Sequence, residues 1–508
     1  MSEVERFFFQ IPKALRFAAA LGAGACLPSA FAPLAWWPVA PVAFAVLLVC
    51  VYGSSSWTAA GIGFVFGAGM FGTGVSWIAE SFQYNHVHGP VVWVLSAAFV
   101  LFLALFPALW AWLCQYLRGR MGRWAWSLGL APALWILIEW LRGWFLTGFT
   151  WLQFGISQVD GPAAGLAPIT GAYGVGWLVA ATGGALALLV LRGPRPVMLA
   201  VVLAAVWLSV PLLRTIEWTR VAGEPFKAAL VQGNYSQNIK WLPQNRGPTL
   251  HRYRALTEQH ADAQLIVWPE TAVPMLANDV RPYLDELDRF AQDQRMSVLV
   301  GAPFRDPSGK HYFNSMLGLG LMDGVYHKQH LVPFGEYLPL AWLTGPIVRM
   351  LGVPAPSFSR WSGPQPLLAH GSLRLGLSIC YEAAFGAEIL QALPEATVLV
   401  NVSNDAWFGD TLAPFQHLQI GRMRALETGR YMLRATNTGI SAIIAPDGRI
   451  IARSPQFATH VVRGEAVPRT GMTPYAVVAD WPVVWAAGAI VGWLVWRKKK
   501  HGQHSGRL

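Results

Sequence analysis

From Met1 to Leu213 the chain is almost continuously apolar, whereas between Glu217 and Arg469 acidic and basic side chains become frequent. This division leaves few folds open. A hydrocarbon core of roughly 30 Å requires about 20 apolar residues per helix, and in lipid the backbone must satisfy its own hydrogen bonds. The first part therefore predicts membrane helices and the second a water-exposed domain. Over 508 residues, 54% are hydrophobic and 13% charged, with mean hydropathy +0.38, which sets the chain apart from ordinary soluble proteins.

The apolar runs predict spans near 12–32, 36–53, 57–79, 91–117, 124–146, 165–191, 196–213 and 477–496, seven before the polar segment and one after it. Lys13 and Arg16, an apolar run and Ser29-Ala-Phe-Ala32 also fit a cleavable signal peptide. An uncleaved helix is expected, because the apolar pattern resumes almost at once. Cleavage would not invert the remaining topology.

Orientation follows from Lys and Arg in the short loops. Arg6, Lys13 and Arg16 precede the first span; Arg118, Arg120 and Arg123 lie between the fourth and fifth. Arg192 and Arg195 separate the sixth and seventh, and Arg497-Lys-Lys-Lys500 follows the last. With a cytoplasmic N-terminus all of these fall on one side, and the polar segment lies outside the cytoplasm. The expected domains are a seven-helix membrane domain at 1–217, an extracytoplasmic catalytic domain at 218–472, and a C-terminal helix with a basic cytoplasmic tail at 473–508. The net charge of +11 is partly this topological signal, so no nucleic-acid partner is expected. No zinc spacing, Walker loop or GxGxxG before a helix stands out.

Within the polar segment, 228–232, 265–268, 297–301, 373–379, 397–402 and 440–446 are strand-like, while 250–262, 280–294 and 414–428 read as helices. Alternating strands and helices predict an α/β sheet covered by helices. Glu270, Cys380 and Asn404-Asp405 each follow a strand-like run. The carboxyl ends of strands are a common place for α/β active sites.

Cys380 is the only cysteine of four outside the apolar segments; Cys26, Cys50 and Cys114 lie in long hydrophobic runs. It is either inert filling or a nucleophile. A free cysteine is only a few per cent thiolate near neutral pH, so a nucleophile needs a base or cation beside it. Glu270 can take the thiol proton and later return it to a leaving group. Lys328 can stabilise the thiolate and the oxyanion formed when sulfur attacks a carbonyl. His327, His330 and His417 offer the usual Cys-His alternative, and structural or substrate-loop roles are expected for them. Glu80, His86, His88, Glu139 and Arg142 are polar groups near predicted span ends, where such residues usually pair or face a cavity. For Glu139 and Arg142 an intramembrane pair or a headgroup contact are the two readings.

Three motifs carry a family resemblance: Trp268-Pro-Glu-Thr-Ala272, the run from Tyr326 to Pro339, and Ile379-Cys-Tyr-Glu382, followed by Asn401-Val-Ser-Asn-Asp-Ala-Trp-Phe-Gly409. In this order they resemble the nitrilase superfamily, with its Glu-Lys-Cys triad in an αββα sandwich. Set between seven apolar helices and one more, they resemble its membrane-embedded branch, the apolipoprotein N-acyltransferases of the bacterial inner membrane. The resemblance implies Glu270 as general base, Lys328 as oxyanion-stabilising cation and Cys380 as nucleophile. It implies supporting roles for Glu336, Tyr381 and Glu382. Trp241 matches an aromatic contact near the site, and Trp407 and Phe408 could line an acyl entrance.

The implied reaction moves an acyl chain from a membrane phospholipid through a Cys380 thioester to the α-amine of an S-diacylglyceryl-cysteine at a lipoprotein N-terminus. Its implied partners are the phospholipid donor, the apolipoprotein acceptor and the bilayer. No metal or diffusible cofactor is required, and the chain is expected to act as a monomer. Two rivals stand beside this reading: a membrane-tethered amidase using the same triad, and a transporter or lipid-binding protein with an inactive domain. Retention of all three triad residues argues against the second. Seven preceding helices argue against the first, for which one anchor would suffice. The Pro- and Gly-rich stretch from Leu351 to Gln365 is a candidate mobile segment.

Overall fold

The computed structural model describes residues 12–84, 87, 89–119, 121–191, 195–350 and 358–504. Arg6, His86, His88, Arg120, Arg192 and the first seven positions of the 351–365 stretch lie outside the described residues. The chain divides into two compact units, one of Met1–Ile78, Pro90–Ile216 and Val478–Leu508, the other of Ala79–Gly89 and Glu217–Val477.

Helices occupy the apolar runs of the first unit: Lys13–Cys26, Val39–Val51, Ser56–Gly74, Pro90–Arg118, Ala131–Arg142, Ala167–Val190, Pro196–Ser209 and Trp481–His504. Among the described residues, Pro90–Arg118, Pro162–Val190 and Pro196–Thr215 are long and apolar enough to cross a membrane. Ser56–Gly74 with Ile78–Tyr84 makes a fourth if counted as one broken span. Eight full-length spans are therefore not what the helix lengths give. Val39–Val51 has 13 residues, about 20 Å at 1.5 Å per residue. The run at 124–146 is split between a π-helical turn, Ala125–Leu130, and the helix Ala131–Arg142.

Small residues bring these helices close. A Cβ on Gly63 would lie 2.3 Å from the Pro107 carbonyl oxygen, and one on Gly67 2.8 Å from Ala104 Cα, the small-residue packing that membrane helices use. Glu139 and Arg142 approach to 4.0 Å, but their shorter bonds go to backbone. Phe154 N donates to Glu139 Oε1 at 3.0 Å, and Arg142 Nη1 donates to the Phe149 and Trp151 carbonyls at 2.7 and 2.6 Å. Both residues thus tie down the irregular segment after their own helix.

The second unit contains β1 (Phe226–Gln232), β2 (Leu265–Val267), β3 (Ser297–Arg305), β4 (Tyr312–Gly320), β5 (Gly324–His327), β6 (Leu368–His370), β7 (Leu373–Ile379), β8 (Val398–Ser403), β9 (Met432–Thr436), β10 (Ala442–Ile444), β11 (Ile450–Arg453) and β12 (His460–Ala466). These form two six-stranded sheets, in the orders β12-β1-β2-β3-β4-β5 and β11-β10-β9-β8-β7-β6. Each has three parallel strands, β1-β2-β3 and β7-β8-β9, flanked by antiparallel ones.

The two-residue period of a strand builds the layers. Leu265 and Val267 of β2 join Leu377, Ile379, Val400 and Val402 of the other sheet in one buried cluster. Ile266, pointing the opposite way, packs with Leu284 and Leu287 of the helix Arg281–Asp293 and Tyr253 of the helix Arg246–Gln259. On the far side Leu399 and Met432 meet Leu418 and Ala425 of the helix Ala413–Thr428. The result is a helix–sheet–sheet–helix sandwich whose parallel strands are buried on both faces, which is why they read as continuous apolar runs.

Candidate active site

Glu270 sits three residues beyond β2, the middle parallel strand of its sheet, and is 6% exposed. Its Oε1 accepts from Asn314 Nδ2 at 2.7 Å and Lys328 Nζ at 3.4 Å, and its Oε2 accepts from the Asn404 backbone N–H at 2.7 Å. Lys328 immediately follows β5 and is 1% exposed. It is paired with Glu336 at 2.9 Å. Glu336 in turn accepts from Asn314 Nδ2 at 3.1 Å and from Val332 N at 2.8 Å, so its carboxylate braces the lysine and closes the loop that carries it.

Cys380 immediately follows β7 and opens a short 3₁₀ turn, Cys380–Ala384. Its φ is +53°, a conformation that residues other than glycine rarely hold without support from their surroundings. That support is visible. His417 Nε2 lies 3.1 Å from the Cys380 carbonyl oxygen, and Asn401 Nδ2 reaches the same oxygen at 3.5 Å. Glu382 accepts from Ile379 N at 2.7 Å and Tyr326 Oη at 2.9 Å on one oxygen, and from Gln329 N at 2.6 Å and His330 N at 3.0 Å on the other. One carboxylate thereby fastens the cysteine turn to the segment bearing Lys328.

Electrostatics follow from burial. Burial pushes the Cys380 thiol above the ordinary thiol range and the Glu270 carboxylate pushes it further, while Lys328 and the Ser403 hydroxyl pull the other way. The net direction is upward, which favours the thiol over the thiolate. Burial alone would lower the Lys328 ammonium, but Glu336, Glu270 and Cys380 hold it well above its usual range. Burial raises the Glu382 carboxyl, opposed by its backbone hydrogen bonds. Such an arrangement sets a proton acceptor and a fixed cation around one buried sulfur. It suits attack on a carbonyl with proton transfer at that moment.

The remaining sequence-predicted residues are placed less tightly. Tyr381 is buried against Phe385 and His330, at ring-centroid distances of 5.1 and 5.5 Å. Trp241 is 41% exposed at the end of the short helix Gln237–Lys240. Trp407 and Phe408 are half-buried in the turn Asp405–Phe408. The Trp407 carbonyl accepts from Ser81 Oγ at 3.1 Å and its ring meets Tyr84 edge-on at 6.4 Å. Glu80, of the same Ala79–Gly89 segment, rests on Gly409, where an added Cβ would lie 3.1 Å from its Cγ.

The histidines take structural positions. His417 is fully buried between the Cys380 carbonyl and Asp405 Oδ1, the latter at 3.2 Å. Burial opposes ionisation of Asp405, yet Arg434 and His417 hold its carboxyl well below the usual range. His327 bonds Ser315 Oγ through Nδ1 at 2.7 Å and lies tilted against Trp361, ring centroids 4.6 Å apart, and burial lowers it to about 4. His330 pairs with Glu388 at 2.7 Å. Asn314, Ser403 and Lys240 belong to the site without having been singled out from sequence. The only signal for Asn314 is a polar residue inside an apolar strand, Tyr312-Phe-Asn-Ser-Met-Leu317.

Two family models match the chain, the apolipoprotein N-acyltransferase N-terminal domain over residues 23–185 and the carbon-nitrogen hydrolase over residues 227–471. The apolipoprotein N-acyltransferase of Methylococcus capsulatus is 43% identical over 496 residues, covering 96% of this chain and 97% of that protein. That of Azotobacter vinelandii is 41% identical over 489 residues, covering 94% and 95%. A branch 10 nitrilase-superfamily member from Saccharomyces cerevisiae aligns with a TM-score of 0.37 and 18% identity over 49% of this chain and 92% of its own. On its match to full-length relatives, the chain belongs to the apolipoprotein N-acyltransferase family.

Proposed function

We propose that this protein transfers a fatty acyl chain from a membrane phospholipid to the N-terminal amine of an S-diacylglyceryl apolipoprotein, through a thioester on Cys380. Glu270 takes the thiol proton as sulfur attacks the ester carbonyl, and Lys328 Nζ stabilises the oxyanion of the tetrahedral intermediate. The C–O bond breaks, Glu270 protonates the departing lysophospholipid alkoxide, and the thioester remains. The lipoprotein amine then attacks it; Glu270 removes the amine proton and returns a proton to the cysteine sulfur as the amide forms. Glu336 and Glu382 hold the lysine and the cysteine turn. Tyr381 packs behind the nucleophile, and Trp241, Trp407 and Phe408 contact substrate.

The observation that carries this reading is the buried Glu270–Lys328–Glu336 cluster, whose charges bear on the Cys380 thiol. The relatives' shared acyltransferase name weighs against the membrane-tethered amidase. Burial of Cys380, 9% exposed, also suits a thioester that must be shielded from water. The apolar first unit and the arginine-rich loops support an inner-membrane protein with eight apolar helices, cytoplasmic termini and a catalytic domain at 218–472 facing the periplasm, acting as a monomer.

Cys380→Ala is expected to abolish transfer from phospholipid to a diacylglyceryl-peptide while the protein remains folded and membrane-inserted. Retained transfer by the purified variant would end the thioester mechanism. A membrane-impermeant thiol reagent on spheroplasts should label a cysteine introduced within 218–472. Failure to label it would contradict the orientation.

A further inference from the structure

The turn that presents Glu270 is strained at the next residue. Thr271 has φ +48°, an outlier for a β-branched side chain. Below it β3 passes without a side chain: a Cβ on Gly301 would lie 2.1 Å from the Pro269 carbonyl oxygen, 2.8 Å from Thr271 N and 3.0 Å from Glu270 Cα. Strain of this kind persists only where the surroundings over-determine it.

The over-determining group is a lysine that the proposed chemistry does not use. Lys240, 1% exposed, donates from Nζ to Thr271 Oγ1 at 2.8 Å and to the Glu270 carbonyl at 3.4 Å. The short helix Gln237–Lys240 that carries it also reaches the other side of the glutamate. Asn404 Nδ2 donates to Gln237 Oε1 at 3.0 Å, and Asn404 N donates to Glu270 Oε2 at 2.7 Å. The four-residue helix thus bonds the Glu270 backbone directly through Lys240 and reaches its carboxylate only by way of Asn404.

We infer that Lys240 is a positioning residue for the reaction, its Nζ clamping the left-handed Glu270–Thr271 turn so that the carboxylate keeps its geometry against Lys328 and Asn314. Burying a lysine amine is costly without such partners. Burial pulls Lys240 down to about 7, against the raising effect of the Glu270 carboxylate. In either protonation state the nitrogen keeps hydrogens to donate to both acceptors. The clamp adjoins Trp241, so the exposed aromatic and the buried base are set by the same short helix.

This inference rests on Glu270 being the general base, and its test separates the two claims. In the full-length, membrane-inserted protein, Lys240→Met should lower the rate of Cys380 acylation by about 10- to 100-fold, as a misplaced catalytic group does, with the donor KM changed less than about twofold. Adding Thr271→Gly should recover at least half of that loss on a logarithmic scale, because glycine holds a positive φ without the clamp. A general packing defect would not be repaired by that glycine. Native acylation in Lys240→Met, or a loss that Thr271→Gly leaves untouched, overturns the inference.

If Lys240→Met fails to fold, Thr271→Val removes the Oγ1 acceptor with the lysine in place. A reduced acylation rate supports the clamp and a native rate overturns it. Glu270→Gln tests the underlying reading separately. Full activity there would remove the base, whereas an inactive Glu270→Gln beside a fully active Lys240→Met would refute the clamp alone.

Discussion

The turns that carry Glu270 and Cys380 are built alike and charged differently. Each follows a parallel strand buried on both faces, and each has a non-glycine residue at positive φ, Thr271 at +48° and Cys380 at +53°. The glutamate turn is surrounded by ammonium and amide donors, from Lys328, Lys240, Asn314 and Asn404. The cysteine turn is held through its backbone, by His417 and Asn401 on the Cys380 carbonyl and by Glu382 on Ile379 N. Charge is thus concentrated at one strand end, and at the other stands a thiol that burial raises above the ordinary range. Two neutral turns would give a slow thiol, and a cation placed directly on the sulfur would give a standing thiolate exposed to side reactions.

Removing the base should have the largest effect on this contrast. Glu270→Gln keeps the shape and removes the proton acceptor, and acyl transfer should fall by about 10³-fold or more, in line with loss of a group acting as one unit with its nucleophile. A fall of less than tenfold would mean that the charged turn is not the base.

The carboxylate that joins the two turns should matter chiefly for stability. Glu382→Ala leaves the buried Ile379 N–H, the part-buried Gln329 and His330 N–H groups and the Tyr326 hydroxyl without their acceptor. Unmade buried hydrogen bonds cost about 1–3 kcal/mol each, so a loss of at least about 3 kcal/mol is expected in denaturant unfolding in detergent. A smaller loss would mean that the cysteine turn holds itself.

Crowding the charged turn from below is a more graded perturbation. Gly301→Ala puts a methyl group into the Pro269 carbonyl and should displace Glu270, slowing transfer by about 10- to 100-fold. Native activity would show that the exact path of the turn is unimportant.

The neutral turn can be read by pH. Because burial and Glu270 raise the Cys380 thiol, the thiolate absorbance difference between native protein and Cys380→Ser should show no step below about pH 8.5, the ordinary thiol value. Thiolate should appear only as the pH rises beyond it. A step in the neutral range would indicate a preformed ion pair with Lys328.

The smallest effect is expected at Trp241, whose ring is half exposed and bonded to neither turn. Trp241→Ala should raise the donor KM a few-fold, by roughly 1 kcal/mol of lost apolar contact, with kcat nearly unchanged. A change in kcat alone would place the ring's influence on Glu270 rather than on substrate.

The central strands were legible because they are buried on both faces and therefore continuously apolar, as in Leu265–Val267 and Val398–Ser403. Strands β4, β5, β6, β9, β11 and β12 were not. β9 reads Met432-Leu-Arg-Ala-Thr436, and its Arg434 is fully buried against Asp405 and Asn401, so a core strand looks polar in sequence. β12 pairs at a sheet edge with alternating exposure, which breaks its apolar run. Eight spans were expected, and among the described residues three helices, or four with the bent pair Ser56–Gly74 and Ile78–Tyr84, are long and apolar enough to cross a membrane, because continuous apolarity does not reveal a break such as the 55° bend in that pair.

At the site, motif order alone singled out Glu270, Lys328 and Cys380, and the structure brings them together. Asn314 and Lys240 stayed hidden because they bond Glu270 across long sequence separations, 44 and 30 residues. A sequence window cannot see such contacts.

The most direct measurement is the mass of the intact protein after incubation with phospholipid and no lipoprotein acceptor. The protein should gain one acyl chain, located on the peptide containing Cys380, removed by neutral hydroxylamine and absent from Cys380→Ala. Continued acyl transfer without any adduct on Cys380 under turnover-limited conditions would contradict it.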